Sequence, residues 1–388
     1  MAALLLALIY LAFIALGFPE ALLGAAWPTM HHQIGAVFEN AGFITMTFAA
    51  GTIISSLLSD KITRRFGAGL TTAIALLILG GAIFGMSTAT SFWMLIAWAI
   101  PYGLAAGTID AALNNYVAQH YSSRYMSWLH GFWGVGAVIS PYIMSYALTR
   151  GHGWAHGYFT VSMIQIGVAV LLLISLPFWR KQGGGIPDAK ERDEAMPLRA
   201  VLKIRGVKLM LLAFFAYTAV EATTMLWATS FLVYQYEITG EAAAGHAALF
   251  FWGLMGGRFL GGFIANKVGD RNMIRYSVVI MLTGIIMIMF PLQTYMVSLS
   301  GLVVLGLGCS TVFPSIIHST PYNFGKENAR AIIGVQMAGA YTGSTLMPPL
   351  LGQIARFTGI GFYPIFILIF TGLLLLMTEL VNRTVDKA

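Results

Sequence analysis

Three carboxylates and one guanidinium stand inside stretches that carry almost no other charge: Glu20 in "LGFPEALLGAAWP", Asp110 in "GLAAGTIDAALNNYV", Glu221 in "AYTAVEATTMLW" and Arg258 in "WGLMGGRFLGG". A charge at the centre of hydrocarbon costs about 2.5–3.5 kcal/mol on insertion scales, so such residues face a wet cavity or a partner. Desolvation disfavours an ionised carboxylate, and an acid bordering a cavity that opens alternately to two sides can therefore bind a proton on one side and release it on the other. Asp110 is the first candidate for that proton-coupling role, Glu20 the second, and Glu221 an additional one. Glu20 could instead accept hydrogen bonds from solute hydroxyls. The competing reading is a fixed salt bridge of Asp110 or Glu221 with Arg258, and an acid neutralised permanently cannot carry the proton.

Neutral groups near these acids could bind a polar solute. Asn114 lies one helical turn after Asp110, so the two share a face, and an acid beside an amide suits hydroxyl recognition. Asn115, Gln165, Gln336 and His130 are further candidates. Each of these could equally tie packed helices together, and His130 could also titrate. Trp27, Trp133, Trp227 and Trp252 could stack on the apolar face of a sugar or serve as packing anchors; Trp227 is kept as a candidate solute contact. The pairs His31 and His32, and His152 and His156, are accompanied by no cysteine and by only one nearby acid, Glu39, so no metal site is expected. No phosphate-binding GxxxxGK[ST] loop, HExxH helix or GxSxG elbow occurs, so no ATPase, metal-dependent or serine hydrolase, and no cofactor, is expected.

The elements that must hold these residues follow from hydropathy. With 58% hydrophobic residues, 10% charged residues and a mean hydropathy of +0.77, the chain reads as an integral membrane protein in contact with a lipid bilayer. Twelve candidate helical spans follow, at 3–28, 38–59, 68–89, 92–118, 125–148, 157–179, 207–235, 243–266, 273–291, 294–318, 329–353 and 359–381. The first lacks a basic leader and a small-residue cleavage site, and is read as a retained helix. Of the 22 lysines and arginines, 19 fall after even-numbered spans or at the C-terminus; this predicts an inner (plasma) membrane protein with both termini cytoplasmic. The net charge of +7 is thereby a topology signal, and nucleic acid needs no place as a partner. At 1.5 Å per residue, Glu20 comes about 12 Å inside the outer end, while Asp110, Glu221 and Arg258 come about 15, 20 and 12 Å from the inner side. A lone Cys309 cannot form an internal disulfide.

The segment "RKQGGGIPDAKERDEAMPLRAVLKIRGVK" divides the chain, giving a bundle over 1–180, a cytoplasmic linker over 181–206 and a second bundle over 207–388. The halves echo one another. "SDKITRRFG" stands 206 positions before "ANKVGDRNM", Gly136 and Pro141 stand 207 before Gly343 and Pro348, and Glu20 stands 201 before Glu221. Spacings such as Gly103-x3-Gly107, Gly257-x3-Gly261 and Gly339-x3-Gly343 allow close helix approach.

With Gly51, Asp60, Lys61, Arg64, Arg65 and Gly67 between spans 2 and 3, and Gly262, Asn266, Lys267, Gly269, Asp270 and Arg271 as their echo, the chain resembles the major facilitator superfamily over essentially its whole length. Stretches including "GFPEALLGAAWP", "LHGFWGVGAVISP" and "GLGCSTVFPSI" resemble the fucose-permease-type branch of sugar and proton symporters, which carries acids in helices 1 and 4, here matched to Glu20 and Asp110. The resemblance implies an all-α fold of twelve transmembrane helices in two pseudo-symmetric six-helix bundles, with alternating access. It also implies that Asp60, Lys61, Arg64, Arg65, Lys267 and Arg271 form gating pairs across the inner face, although topology alone accounts for Lys61 and Arg64. The functional expectation is a monomeric secondary transporter moving a small polar solute, a sugar, with protons. A proton-driven exporter of amphipathic compounds or lipids is the runner-up, and a non-transporting sensor a third reading.

Overall fold

The computed structural model describes residues 2–121, 123–181, 198–290 and 295–385, and every regular element among them is helical. In chain order they are α1 (Ala2–Gly17), a 3-10 turn (Phe18–Ala21), α2 (Leu22–Gln33), a second 3-10 turn (Phe38–Asn40), α3 (Ala41–Phe66), α4 (Ala68–Ser87), α5 (Phe92–His120), α6 (Ser123–Thr149), α7 (Gly153–Ile174), α8 (Leu176–Lys181), α9 (Leu198–Val201), α10 (Val207–Tyr236), α11 (Gly240–Val268), α12 (Asp270–Met289), α13 (Met296–Cys309), α14 (Val312–Phe324), α15 (Lys326–Thr358), a third 3-10 turn (Ile360–Phe362) and α16 (Tyr363–Val385).

Ten segments among the described residues are long and apolar enough to cross a membrane. Two further helices, α3 with 26 residues and α15 with 33, are also long enough. Together they account for twelve crossings. In lipid the backbone must satisfy its own hydrogen bonds, and helices do this within one segment. Large exposed apolar side chains such as Trp93, Phe263 and Phe357 are what a lipid-facing surface requires. The first crossing runs on to Gln33, beyond the expected end at 28, and is interrupted at Phe18–Ala21. The tenth runs from Met296 to Phe324 and is interrupted between Cys309 and Val312. Most of the expected linker, 182–197, lies outside the described residues.

The chain forms two compact units, one of Met1–Asp188 with Thr229–Ala248, the other of Ala189–Ala228 with Leu249–Ala388. In the first, α1 and the following turn press on α6 so closely that a Cβ at Gly136 would collide with the carbonyl of Ile14 and crowd Gly17 and Phe18. In the second, a Cβ at Gly343 on α15 would collide with the carbonyl of Phe215 and with the Thr218 hydroxyl on α10. Ile14 and Phe215, and Gly17 and Thr218, are each 201 positions apart, the spacing that separates Glu20 from Glu221. The same helix crossing is thus built twice.

The junction between the second and third crossings fixes another register. Gly67 at φ 80° caps α4, and Gly269 at φ 77° caps α12; both take a left-handed backbone that favours glycine. They lie 202 positions apart and start helices of 20 residues each. This sets Arg65 opposite Lys267, one helical turn away from the match of Lys61 with Lys267 expected from the charges.

The first unit also includes the stretch Thr229–Ala248. There the Tyr234 hydroxyl lies 2.9 Å from His31 Nε2 and 3.3 Å from His32 Nε2, and Ser145 Oγ donates to the Glu241 carbonyl at 2.6 Å. His31 Nδ1 lies 3.2 Å from the Ala36 carbonyl, so it is the protonated nitrogen, and Nε2 accepts from tyrosine. Both ring nitrogens are therefore committed to structural bonds. Among the described residues no three His, Cys, Asp or Glu side chains gather where a metal could sit.

Candidate functional site

Glu20 sits in the interruption of the first crossing. Pro19 has no N–H to continue the helical ladder, and the chain tightens into the 3-10 turn Phe18–Ala21. Residues 15–19 and 21–28 are all buried, whereas Glu20 is exposed. The turn aims a single carboxylate out of an otherwise enclosed segment. Tyr102, a buried α5 residue that sequence reasoning passed over, lies in the neighbourhood of Glu20.

Asp110 lies two turns further along α5 and is half-buried. Asn114 Nδ2 donates to Asp110 Oδ1 at 2.8 Å and to the Asp110 carbonyl at 2.9 Å. The shared face expected from the i, i+4 spacing is realised, and one amide is spent on holding the acid. Among the described residues no basic side chain pairs with Asp110. Asn115, next along the helix, is exposed.

Glu221 behaves differently. It lies on the unbroken α10, and Arg258 of α11 reaches it with an Nη2 to Oε1 distance of 3.2 Å; the two side chains are 14% and 17% exposed. The fixed ion pair weighed for Asp110 or Glu221 therefore falls to Glu221. Tyr217, buried one turn earlier, and buried Cys309 complete the cluster around this pair.

His130 is half-buried and meets Phe13 edge-on with ring centres 5.8 Å apart. Gln165 is fully buried, and its Nε2 donates to the Ala15 carbonyl. Gln336 is fully buried, with Oε1 3.0 Å from the Thr320 hydroxyl. Trp227 is fully buried, and its Nε1 donates to the Pro348 carbonyl at 2.8 Å; Trp27 is equally enclosed, donating to the Phe38 carbonyl at 2.7 Å. These four side chains are buried and tie helices or turns together through one polar atom each, while Gln165 Oε1 and Gln336 Nε2 find no partner among the described residues. Trp227, Gln165 and Gln336, expected as solute contacts, are each engaged in a packing hydrogen bond in this structure.

Of the gating residues, the side chains of Asp60, Lys61 and Arg64 lie outside the described residues. Arg65 is exposed, with its guanidinium over the Phe66 ring at 5.4 Å, and Lys267 is exposed. Arg271 lines a small recess with Arg275, Asn323 and Glu379. Here sequence reasoning missed a bidentate pair: Arg275 Nε and Nη2 donate to Glu379 at 2.6 and 2.8 Å. Beside it His318 Nδ1 lies 2.8 Å from Asp270 Oδ2. The signal was Glu379, an acid in the last apolar span, opposite an arginine counted only for topology.

Comparison with known proteins agrees with this architecture. The family model of the Major Facilitator Superfamily matches residues 9–348, and the chain belongs to that superfamily: it is a multi-pass membrane transporter. The membrane protein MosC of Rhizobium meliloti is 21% identical over 90% of this chain and 84% of its own length. A putative glucose/galactose transporter of Helicobacter pylori is 27% identical over 50% of this chain and 47% of its own length. The solved structure of the nucleoside transporter NupG shares the fold, with a TM-score of 0.75 at 14% identity over 97% of this chain and 98% of that one.

Proposed function

We propose that this transporter moves a small polar solute, a sugar, by proton-coupled symport with alternating access between two bundles, 1–180 and 207–388. It works as a monomer in the inner (plasma) membrane with both termini cytoplasmic. Asp110 carries the proton. The observation behind this assignment is the contrast between two acids within the spans: Glu221 is compensated by Arg258 at 3.2 Å, whereas among the described residues Asp110 is held by the Asn114 amide at 2.8 Å and by no basic side chain. A carboxylate held by an amide can be neutral or charged without leaving a cation unpaired, which is what a carrier of protons needs. Glu20, exposed at the helix break, accepts hydrogen bonds from solute hydroxyls. The relative named as a putative glucose/galactose transporter supports the substrate class.

Flux in proteoliposomes tests this, using glucose, galactose, a hexuronate and uridine, with and without a pH gradient. Asp110→Asn should abolish uphill accumulation while solute exchange at equal pH persists, and Glu20→Gln should weaken solute affinity by about 10- to 100-fold, the worth of a hydrogen bond to a charged group. Parent flux that ignores the pH gradient overturns the symport.

A further inference from the structure

Glu20 and Glu221 occupy equivalent places in the two halves, yet Glu20 is exposed and Glu221 is mostly enclosed. The cause is traceable to a pair of residues that only the first half possesses. In a continuous α-helix the carbonyl of Ala15 would accept the N–H of residue 19. Residue 19 is proline, which has none, so that carbonyl loses its intrahelical donor inside a segment from which water is excluded. Gln165 of α7 supplies the missing donor: its Nε2 donates to the Ala15 carbonyl, with both residues fully buried.

The second half is an internal control. The position equivalent to Pro19 is Val220, 201 further on, which retains its N–H, and α10 runs unbroken from Val207 to Tyr236. The position equivalent to Gln165 follows from matching α7 to the third 3-10 turn and α16. The buried residues Trp154, Tyr158, Val161 and Val168 recur 206 positions later as Ile360, Pro364, Ile367 and Leu374. That register sets Thr371 in the place of Gln165, and the Thr371 hydroxyl donates at 2.8 Å to Ile367 in its own helix. Where there is no proline, there is no side chain reaching across to replace its N–H.

We infer that Gln165 is a positioning residue: by capping the carbonyl that Pro19 orphans, it holds the break at Phe18–Ala21 open and keeps Glu20 exposed. Its importance for transport rests on the reading of Glu20 as the solute acceptor, but its structural action does not. Gln165→Met keeps the side-chain volume and removes the donor, and should lower the melting temperature of the detergent-solubilised protein by several degrees. Pro19→Ala restores an N–H at residue 19, so the double variant Pro19→Ala/Gln165→Met should recover most of that loss, including the case where Gln165→Met by itself fails to fold. The second readout is labelling of Glu20→Cys by a small methanethiosulfonate reagent in a Cys309→Ala background. It should be rapid in the parent and slow several-fold on adding Pro19→Ala, because a continuous helix turns residue 20 inward as it does residue 221. Additive losses for Pro19→Ala and Gln165→Met, or labelling indifferent to Pro19→Ala, overturn the proposal. Absence of solute flux in every variant alongside an intact suppression pattern would count against the function of Glu20 and leave the role of Gln165 standing.

Discussion

At the scale of single residues, Glu221 and Asp110 differ in whether a described basic side chain answers them. The Glu221–Arg258 pair is mostly enclosed, and removing one member of such a pair strands the other charge at a cost of about 3–5 kcal/mol. Arg258→Met should therefore lower the melting temperature in detergent sharply, and Glu221→Gln/Arg258→Met should recover most of it. If the double variant is as unstable as the single, the pair is not what holds these side chains. The sequence announced all three acids and the arginine by their surroundings alone, since a charge in oil is conspicuous. It could not say which acid the arginine would choose, because α10 and α11 are brought together by packing and not by spacing along the chain. Nor did it reveal that Gln165 and Trp227 face backbone carbonyls; an amide or indole in an apolar run has the same appearance whether it greets a solute or a neighbouring helix.

At the scale of elements, the two halves share their closest helix crossings. Gly136 has the Ile14 carbonyl where a Cβ would stand, while Gly81 and Gly167 have nothing within 4 Å of theirs. Gly136→Ala should cost about 1–3 kcal/mol, the usual range for overpacking, and Gly81→Ala or Gly167→Ala should be neutral or stabilising by up to about 1 kcal/mol. Melting curves of the three variants check this, and equal behaviour would remove close approach as the reason for glycine at 136. The twelve crossings were legible because lipid demands long apolar helices. The break in the first was not read, although Pro19 stood in plain view, because hydropathy averages over a window and is blind to one missing N–H. The register of the two halves was misplaced by one turn where charges guided it; the turn glycines Gly67 and Gly269, tied to a backbone conformation, were the better guide.

At the scale of the whole molecule, the asymmetry of lysine and arginine makes a prediction about orientation. Green fluorescent protein fused after Ala388 should fluoresce in cells, and alkaline phosphatase inserted between Arg150 and His156 should be active; the reverse pattern would invert the topology. The membrane character, the number of crossings, the duplication and the presence of acids within the spans were determined by the sequence itself, because each depends on composition or on a period along the chain. Which acid pairs with Arg258, which side chains are engaged in packing, and how Glu20 comes to be exposed were decided only by the tertiary structure. Those outcomes rest on which backbone carbonyls and side chains distant helices bring within hydrogen-bond reach, a property of the packed chain that no local stretch contains.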